Sequence, residues 1–397
     1  MAIKERADAL AALTAARGKR FVMTYVTSRR ENLQTTIGPE VFSIAYEHLR
    51  RMKNPIGEID FFVMTYGGDV TVPLPLQNLL REYAKRVNVL VPAECYSAGT
   101  MIALGGDEIV MTPLGQLSPI DPSVGHPLNP LGPHPQQLPN GMVGQPVVAI
   151  AVEQVFSYLS LATEKASLTD QEFRSRAFDQ LAEKVHPIAL GEIHRTHSLI
   201  RVLAKNLLHL HMSDETKVDA IVAALTENLF NHSYKIARSE AKSMLGLPVS
   251  DADLATEQAM MKLREVFVAD ACMDQPLNLD DEISKALQPS LPGMAPGPAG
   301  APTPAAPTIA PSAPGAPAPA VAPPAGPATN VASTAVPAMP TGTTATFPLT
   351  LTQECGFITS PLGDSVFKIE HVVTQSGNPM MPYAARQRAG RWVSTWI

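Results

Sequence analysis

The amino-acid sequence predicts an α/β protein built on a mostly parallel sheet with flanking helices, continued by a helical C-terminal half, a Pro/Ala-rich linker and a short tail. Three observations lead there. Arg20–Thr27, Glu58–Tyr66, Val87–Pro92 and Glu108–Thr112 are apolar runs of strand length, rich in β-branched and aromatic residues. Helical segments alternate with them, at Pro39–Met52, at Thr71–Lys85 and at a short helix opening at Ser97, and this alternation marks a parallel sheet covered on both faces. Beyond Pro146 the strand signals stop and long amphipathic patterns take over.

Met1–Arg20 alternates charge with Ala and Leu at helical spacing and lacks the apolar stretch of a secretion signal. Helical patterns cover Val147–Glu164, Asp170–Lys184, Ile188–His211, Asp214–Phe230 and Ile236–Leu245, with Ser213 as an N-cap and Gly246 as a C-terminal stop. No charged residue lies between Lys285 and Glu354, where Pro, Ala, Gly and Thr dominate. Such a segment cannot bury enough apolar area to offset its ordering entropy. The expected division is a domain over 1–275, a disordered linker over 276–346 and a tail over 347–397. The tail has β-like runs such as Ser365–Val373 and ends in Trp392-Val393-Ser394-Thr395-Trp396-Ile397, which suits either docking of a partner protein or packing onto its own domain.

Composition narrows the function classes. The chain of 397 residues is 45% hydrophobic, enough for a full core, and its net charge of −6 gives no basic footprint for nucleic acid. Cys95, Cys272 and Cys355 are scattered and odd in number, which argues against a disulfide framework and for a reducing, cytoplasmic location. No run of eighteen apolar residues occurs, so no membrane span is expected.

Two segments join a strand end to a helix start, where open α/β sheets place ligands. In Met64-Thr65-Tyr66-Gly67-Gly68-Asp69-Val70, paired glycines let backbone N–H groups approach a ligand with no β-carbon in the way, an arrangement suited to an oxyanion. In Cys95-Tyr96-Ser97-Ala98-Gly99-Thr100, a serine on the turn has small neighbours that leave room for a substrate carbonyl. This second segment is close to a G-x-S-x-G elbow but has Cys95 in place of the first glycine. The plain alternatives are an ordinary turn and an ordinary N-cap.

The succession of Tyr-Gly-Gly-Asp, Tyr-Ser-Ala-Gly-Thr, Asp-Glu-Ile-Val-Met and Gly-Gln-Leu-Ser-Pro-Ile-Asp-Pro resembles the serine dehydrogenase proteinase family, related to signal peptide peptidase A and the Clp protease. The resemblance runs over roughly residues 15–270 and includes Asn231-His232-Ser233-Tyr234 and Gly246-Leu247-Pro248-Val249. It implies a Clp/crotonase-type fold, self-association into homo-oligomers, and a serine-dependent peptidase acting on polypeptide with no metal or organic cofactor. Ser97 would be the nucleophile, with Gly67 and Gly68 forming the oxyanion hole.

In the Clp protease the general base is a histidine shortly after the serine, and Asp121 stands at the corresponding place here. An exposed carboxylate is too weakly basic to activate a serine at neutral pH, whereas a desolvated one can. Signal peptide peptidases use a lysine, and none occurs between Lys85 and Lys165. Other candidates are His126, Lys165, Lys184 and His186, the last at a helix start, where a ring could point into a cleft. His194 and His197, with Glu192 nearby, form no complete metal-ligand set. Two other functions use the same fold: a crotonase-like acyl-CoA enzyme, in which Asp69 or Asp121 would matter more than Ser97, and a non-catalytic scaffold that binds unfolded chains or a partner.

Overall fold

The computed structural model describes residues 2–52, 56–121, 123–137, 143–161, 171–229, 233–287, 349–378, 381–388 and 390–396. Lys165, His232 and the expected linker from residue 288 onward lie outside the described residues.

Among the described residues, nine strands form one sheet. The parallel part contains β1 (Phe21–Thr27), β2 (Ile56–Met64), β3 (Ala84–Val91), β4 (Glu108–Met111) and β5 (Val249–Asp251). Outside β1 lie four antiparallel strands, β6 (Leu349–Ser360), β7 (Gly363–Asn378), β8 (Met381–Gln387) and β9 (Arg391–Trp396). The order is β5-β4-β3-β2-β1-β6-β7, and the long β7 pairs with both β8 and β9.

The parallel strands are apolar on both faces because helices cover both. Along β2, Ile59, Phe61 and Val63 face helices α2 (Glu40–Leu49), α3 (Pro73–Tyr83) and α4 (Ala98–Leu104). Phe62 and Met64 face helices α1 (Ala2–Ala16) and α10 (Leu254–Asp270) on the other side. The period of two sends alternate side chains into two separate cores.

The helical half comprises α5 (Val152–Ser160), α6 (Gln171–Lys184), α7 (Pro187–Leu208), α8 (Glu215–Ala223) and α9 (Arg238–Ser243), and α11 (Leu279–Leu287) follows α10. The C-terminal part of α7 packs in the main core through Ile200, Ala204, Leu207 and Leu208. Its N-terminal part joins a smaller cluster with Val124, Ile150 and Val152.

Several local expectations are corrected. Strands do not end at Pro146: β5 pairs in parallel with β4, and its three residues are too few to show a period. The N-cap of α8 is Asp214, whose carboxylate accepts from Lys217 N–H at 3.1 Å, and not Ser213. Ile236–Ala237, expected as helix, pairs with Gln116–Leu117, and α9 begins at Arg238. Ile150–Ala151 likewise pairs with Ser123–Val124, which delays α5 to Val152. Gly246 does stop its helix, with φ +64°. At the end of the chain, Trp396 meets the His48 ring edge-on at 4.8 Å between centroids and lies under the Arg51 guanidinium at 3.8 Å.

Candidate active site

The site is assembled at the C-terminal ends of β1, β2 and β3. After β3 the chain reaches Ser97, which holds φ +52° and ψ −115°. These are the dihedrals of the first central residue of a type II′ turn, a position glycine normally fills. The turn is closed by Gly99 N–H donating to Tyr96 C=O at 2.8 Å. Holding a serine there costs on the order of 1–3 kcal/mol. The Ser97 hydroxyl does not cap α4, so the plain N-cap explanation fails. The Ser97 N–H donates to Ser118 Oγ at 2.7 Å, and Ser118 N–H donates to Thr100 Oγ1 at 3.0 Å. Through these bonds the Ser118–Asp121 loop is held beneath the serine turn.

The glycine pair lies directly opposite. A β-carbon on Gly67 would stand 2.8 Å from Ser97 Cβ and 3.3 Å from its Oγ, so only glycine permits this approach. Gly68, at φ +151°, runs beside Ile37, and a β-carbon there would fall 2.3 Å from the Ile37 carbonyl oxygen. Ile37 brackets the pair: its N–H donates to Gly67 C=O at 2.8 Å, and its C=O accepts from Asp69 N–H at 2.9 Å.

The two glycine amides are not equivalent. Gly67 N–H donates to Thr65 Oγ1 at 3.1 Å, and Thr65 Oγ1 in turn accepts from Thr27 Oγ1 at 2.8 Å. Among the described residues Gly68 N–H has no acceptor, and neither has Ala98 N–H in the first turn of α4. Sequence reasoning did not select Ala98, whose free N–H is a backbone group that no side chain advertises.

The expected base candidates are spread out. Asp121 is 3% exposed, on the loop that contacts Ser97. His186 caps α7 at an exposed position, its Nδ1 accepting from Ile188 N–H at 3.2 Å. About 21 Å of helix separates it from Ile200 in the main core. The structure shows no contact between His186 and the serine turn. His126 Nδ1 accepts from Leu128 N–H at 3.1 Å, and Lys184 is exposed in the last turn of α6.

Two further residues approach the site, and sequence reasoning did not select them. His197, 7% exposed on α7, has an Nε2 with no hydrogen-bond partner among the described residues and packs 5.1 Å from the Phe156 ring. Burial lowers its pKa, as does the charge of Arg201, while Glu227 and Asp121 act in the opposite sense. Lys235 Nζ lies 3.6 Å above the ring of Tyr96, the residue before the serine, and partial burial lowers its pKa. Tyr96 donates to Gln116 Oε1 at 2.6 Å and meets Tyr66 edge-on at 5.2 Å. Asp69 accepts from Thr71 N–H and Oγ1 in an exposed turn. Burial raises the pKa of the Cys95 thiol, which suppresses the thiolate. No group of three metal-ligating side chains occurs among the described residues, and no described helix is long and apolar enough to cross a membrane.

Residues 2–130, about a third of the chain, match the family model of ClpP-like SDH-type serine proteinases. The chain is 27% identical over 209 residues to an uncharacterized protein of Methanocaldococcus jannaschii, covering 53% of this chain and 58% of that one. A second uncharacterized protein of the same organism is 33% identical over 67 residues, covering 17% of this chain and 23% of its own. The chain therefore spans less than two thirds of either relative. No solved structure matches. The residues matched to the ClpP-like SDH-type serine proteinase model include Gly67, Gly68 and Ser97.

Proposed function

We propose that the chain is a serine-dependent peptidase with Ser97 as nucleophile. The observation that carries this reading is the strained, non-capping Ser97 set against Gly67, beside two amides, those of Gly68 and Ala98, that have no acceptor among the described residues. Ser97 Oγ attacks the carbonyl carbon of a peptide bond, and its proton passes to a base. The oxyanion of the tetrahedral intermediate accepts from Gly68 N–H and Ala98 N–H. Collapse expels the amine, which takes up the proton, and water then hydrolyses the acyl-enzyme. The preorganised donors favour the transition state, because the charge they meet is fully developed only there. Gly67 serves by close approach to Ser97, and its own N–H is directed to Thr65.

Asp121 is the carboxylate assigned to the base side of the reaction, supported by its burial and by the contact of its loop with Ser97. His197 is the ring its charge reaches, and that supports His197 over His186 as the imidazole. The substrate class is polypeptide, and self-association belongs to the same proposal.

The test is fluorophosphonate labelling of the purified chain beside Ser97→Ala, read by intact mass, with casein hydrolysis in parallel. One adduct on the natural chain and none on the variant is expected. A folded natural chain that takes no adduct overturns the peptidase reading and leaves the scaffold.

A further inference from the structure

The peptidase chemistry leaves the four C-terminal strands without a role, although β6 meets β1 in a telling place. Among the described residues the ladder pairs Val26 with Phe357 and Thr27 with Gly356, the last two positions of β1, and further back Thr359 N–H donates to the Thr24 side chain at 3.0 Å. A strand serving only to cover a sheet edge would pair along its length. This one grips the end from which the chain departs toward the active site.

Bonds continue beyond the ladder. The Cys355 carbonyl accepts from Ser28 N–H at 2.9 Å and from Thr35 Oγ1 at 2.5 Å. Thr35 Oγ1 also accepts from Ser28 N–H at 2.8 Å, so one hydroxyl ties both ends of the loop to the tail. Arg30 donates to Gln353 Oε1 at 2.8 Å, and buried Leu33 shares a cluster with Cys355, Ile369 and Leu277. Two residues after Thr35 comes Ile37, whose N–H and C=O bracket Gly68. A second route runs from Thr27, paired with Gly356, through Thr27 Oγ1 and Thr65 Oγ1 to Gly67 N–H.

We propose that β6 is a positioning element of the active site, which fixes the 28–37 loop through the Cys355 carbonyl and thereby aims the Gly68 amide at the oxyanion. This rests on the assignment of Ser97 and Gly68 above. Gly67 and Gly68 have no side chains to lock their dihedrals, and glycine has the widest backbone freedom. Their restraint comes from Ile37, and the restraint on Ile37 comes from an irregular loop held by the tail. An oxyanion donor acts only when preorganised, so a loosened loop costs rate without removing a catalytic group. Burial of Cys355 pushes its thiol pKa up to about 12, consistent with a contribution made through its backbone.

The test uses the full chain with Thr35→Val, which keeps the side-chain shape and removes the hydroxyl, and Thr35→Ser, which restores it. Two readouts are taken: the fluorophosphonate labelling rate with the kcat and KM of peptide hydrolysis, and amide hydrogen exchange at Ile37 and Asp69. For Thr35→Val the expected result is a labelling rate and kcat lower by about tenfold with KM unchanged, and faster exchange at both amides. Thr35→Ser should return all of these to within about twofold. A folded Thr35→Val with the rates and exchange of the natural chain overturns the proposal. Should that variant fail to fold, Gln353→Ala releases the Arg30 contact instead, with a loss of about threefold expected and an unchanged rate overturning the proposal equally. A natural chain that takes no label defeats the peptidase reading, and the exchange data then decide the positioning role alone.

Discussion

The two ends of the parallel strands treat buried polar groups in opposite ways. At their N-terminal end, fully buried Asp60 accepts from Arg17 at 2.6 and 3.2 Å and from Asn88 Nδ2 at 2.8 Å, and Arg20 and Glu58 pair beside it at 3.1 Å. Both Asp60 oxygens are engaged. At the C-terminal end the amides of Gly68 and Ala98 have no acceptor among the described residues, and Ser97 is strained. Paired buried charge is tolerable, whereas unmet donors and strain cost free energy. Asn88 Oδ1 is left without a partner among the described residues at the first end, so the contrast lies in paired charge there against unmet backbone donors and strain at the other, and it supports the C-terminal end as the proposed ligand site.

The largest expected effect breaks that contrast from the C-terminal side. Gly68→Ala forces a β-carbon into the Ile37 backbone and turns the amide, so kcat should fall by at least about 100-fold. Steady-state hydrolysis and labelling rate check it. From the other end, Asp60→Ala leaves the Arg17 guanidinium with Glu108 at 3.6 Å in place of its close bidentate partner and should cost about 3 kcal/mol in urea unfolding. The labelling rate of the remaining folded protein should not change. Equal damage to labelling from both variants would dissolve the distinction.

How far the sequence anticipated this differs between the elements. Gly67, Gly68 and Ser97 were legible because a close approach and a turn with positive φ restrict which residues fit. The strands β1 to β4 and the helices α2 to α4 were legible from their apolar patterns. Ala98 was not, since a free amide leaves no trace in residue type. His197 and Lys235 are brought near by helix packing and by the pairing of Ile236 with Leu117, relations that local pattern does not encode. The β5 strand was too short to see, and the attachment of the tail to β1 spans more than three hundred residues.

The tail gives a pH-dependent form of the comparison. His48 on α2 is fully buried, with Nδ1 2.8 Å from Ser360 Oγ and Nε2 2.9 Å from Ser365 Oγ. Burial, reinforced by Arg51 and opposed by Asp364 and Glu47, lowers its pKa to about 4 from an ordinary 6.5. Between those values the unfolded chain binds the proton that the folded chain refuses. Stability from this group is therefore complete above pH 6.5 and is lost as pH falls toward 4, by about 2 kcal/mol at pH 5. Urea midpoints measured from pH 7.5 to 5 on the natural chain and His48→Gln should differ in slope by that amount.

The smallest expected effect sets the baseline for the others. Arg176 and Glu172 pair at 2.6 Å on the exposed face of α6, with side chains 66% and 70% exposed. Their attraction is screened by water, and ordering two long side chains offsets much of it. Arg176→Ala should shift stability by less than about 0.5 kcal/mol and leave labelling unchanged. A shift comparable to that of Asp60→Ala would mean that pairing alone, without burial, accounts for the N-terminal network, and the two ends of the sheet would then differ in exposure and not in design.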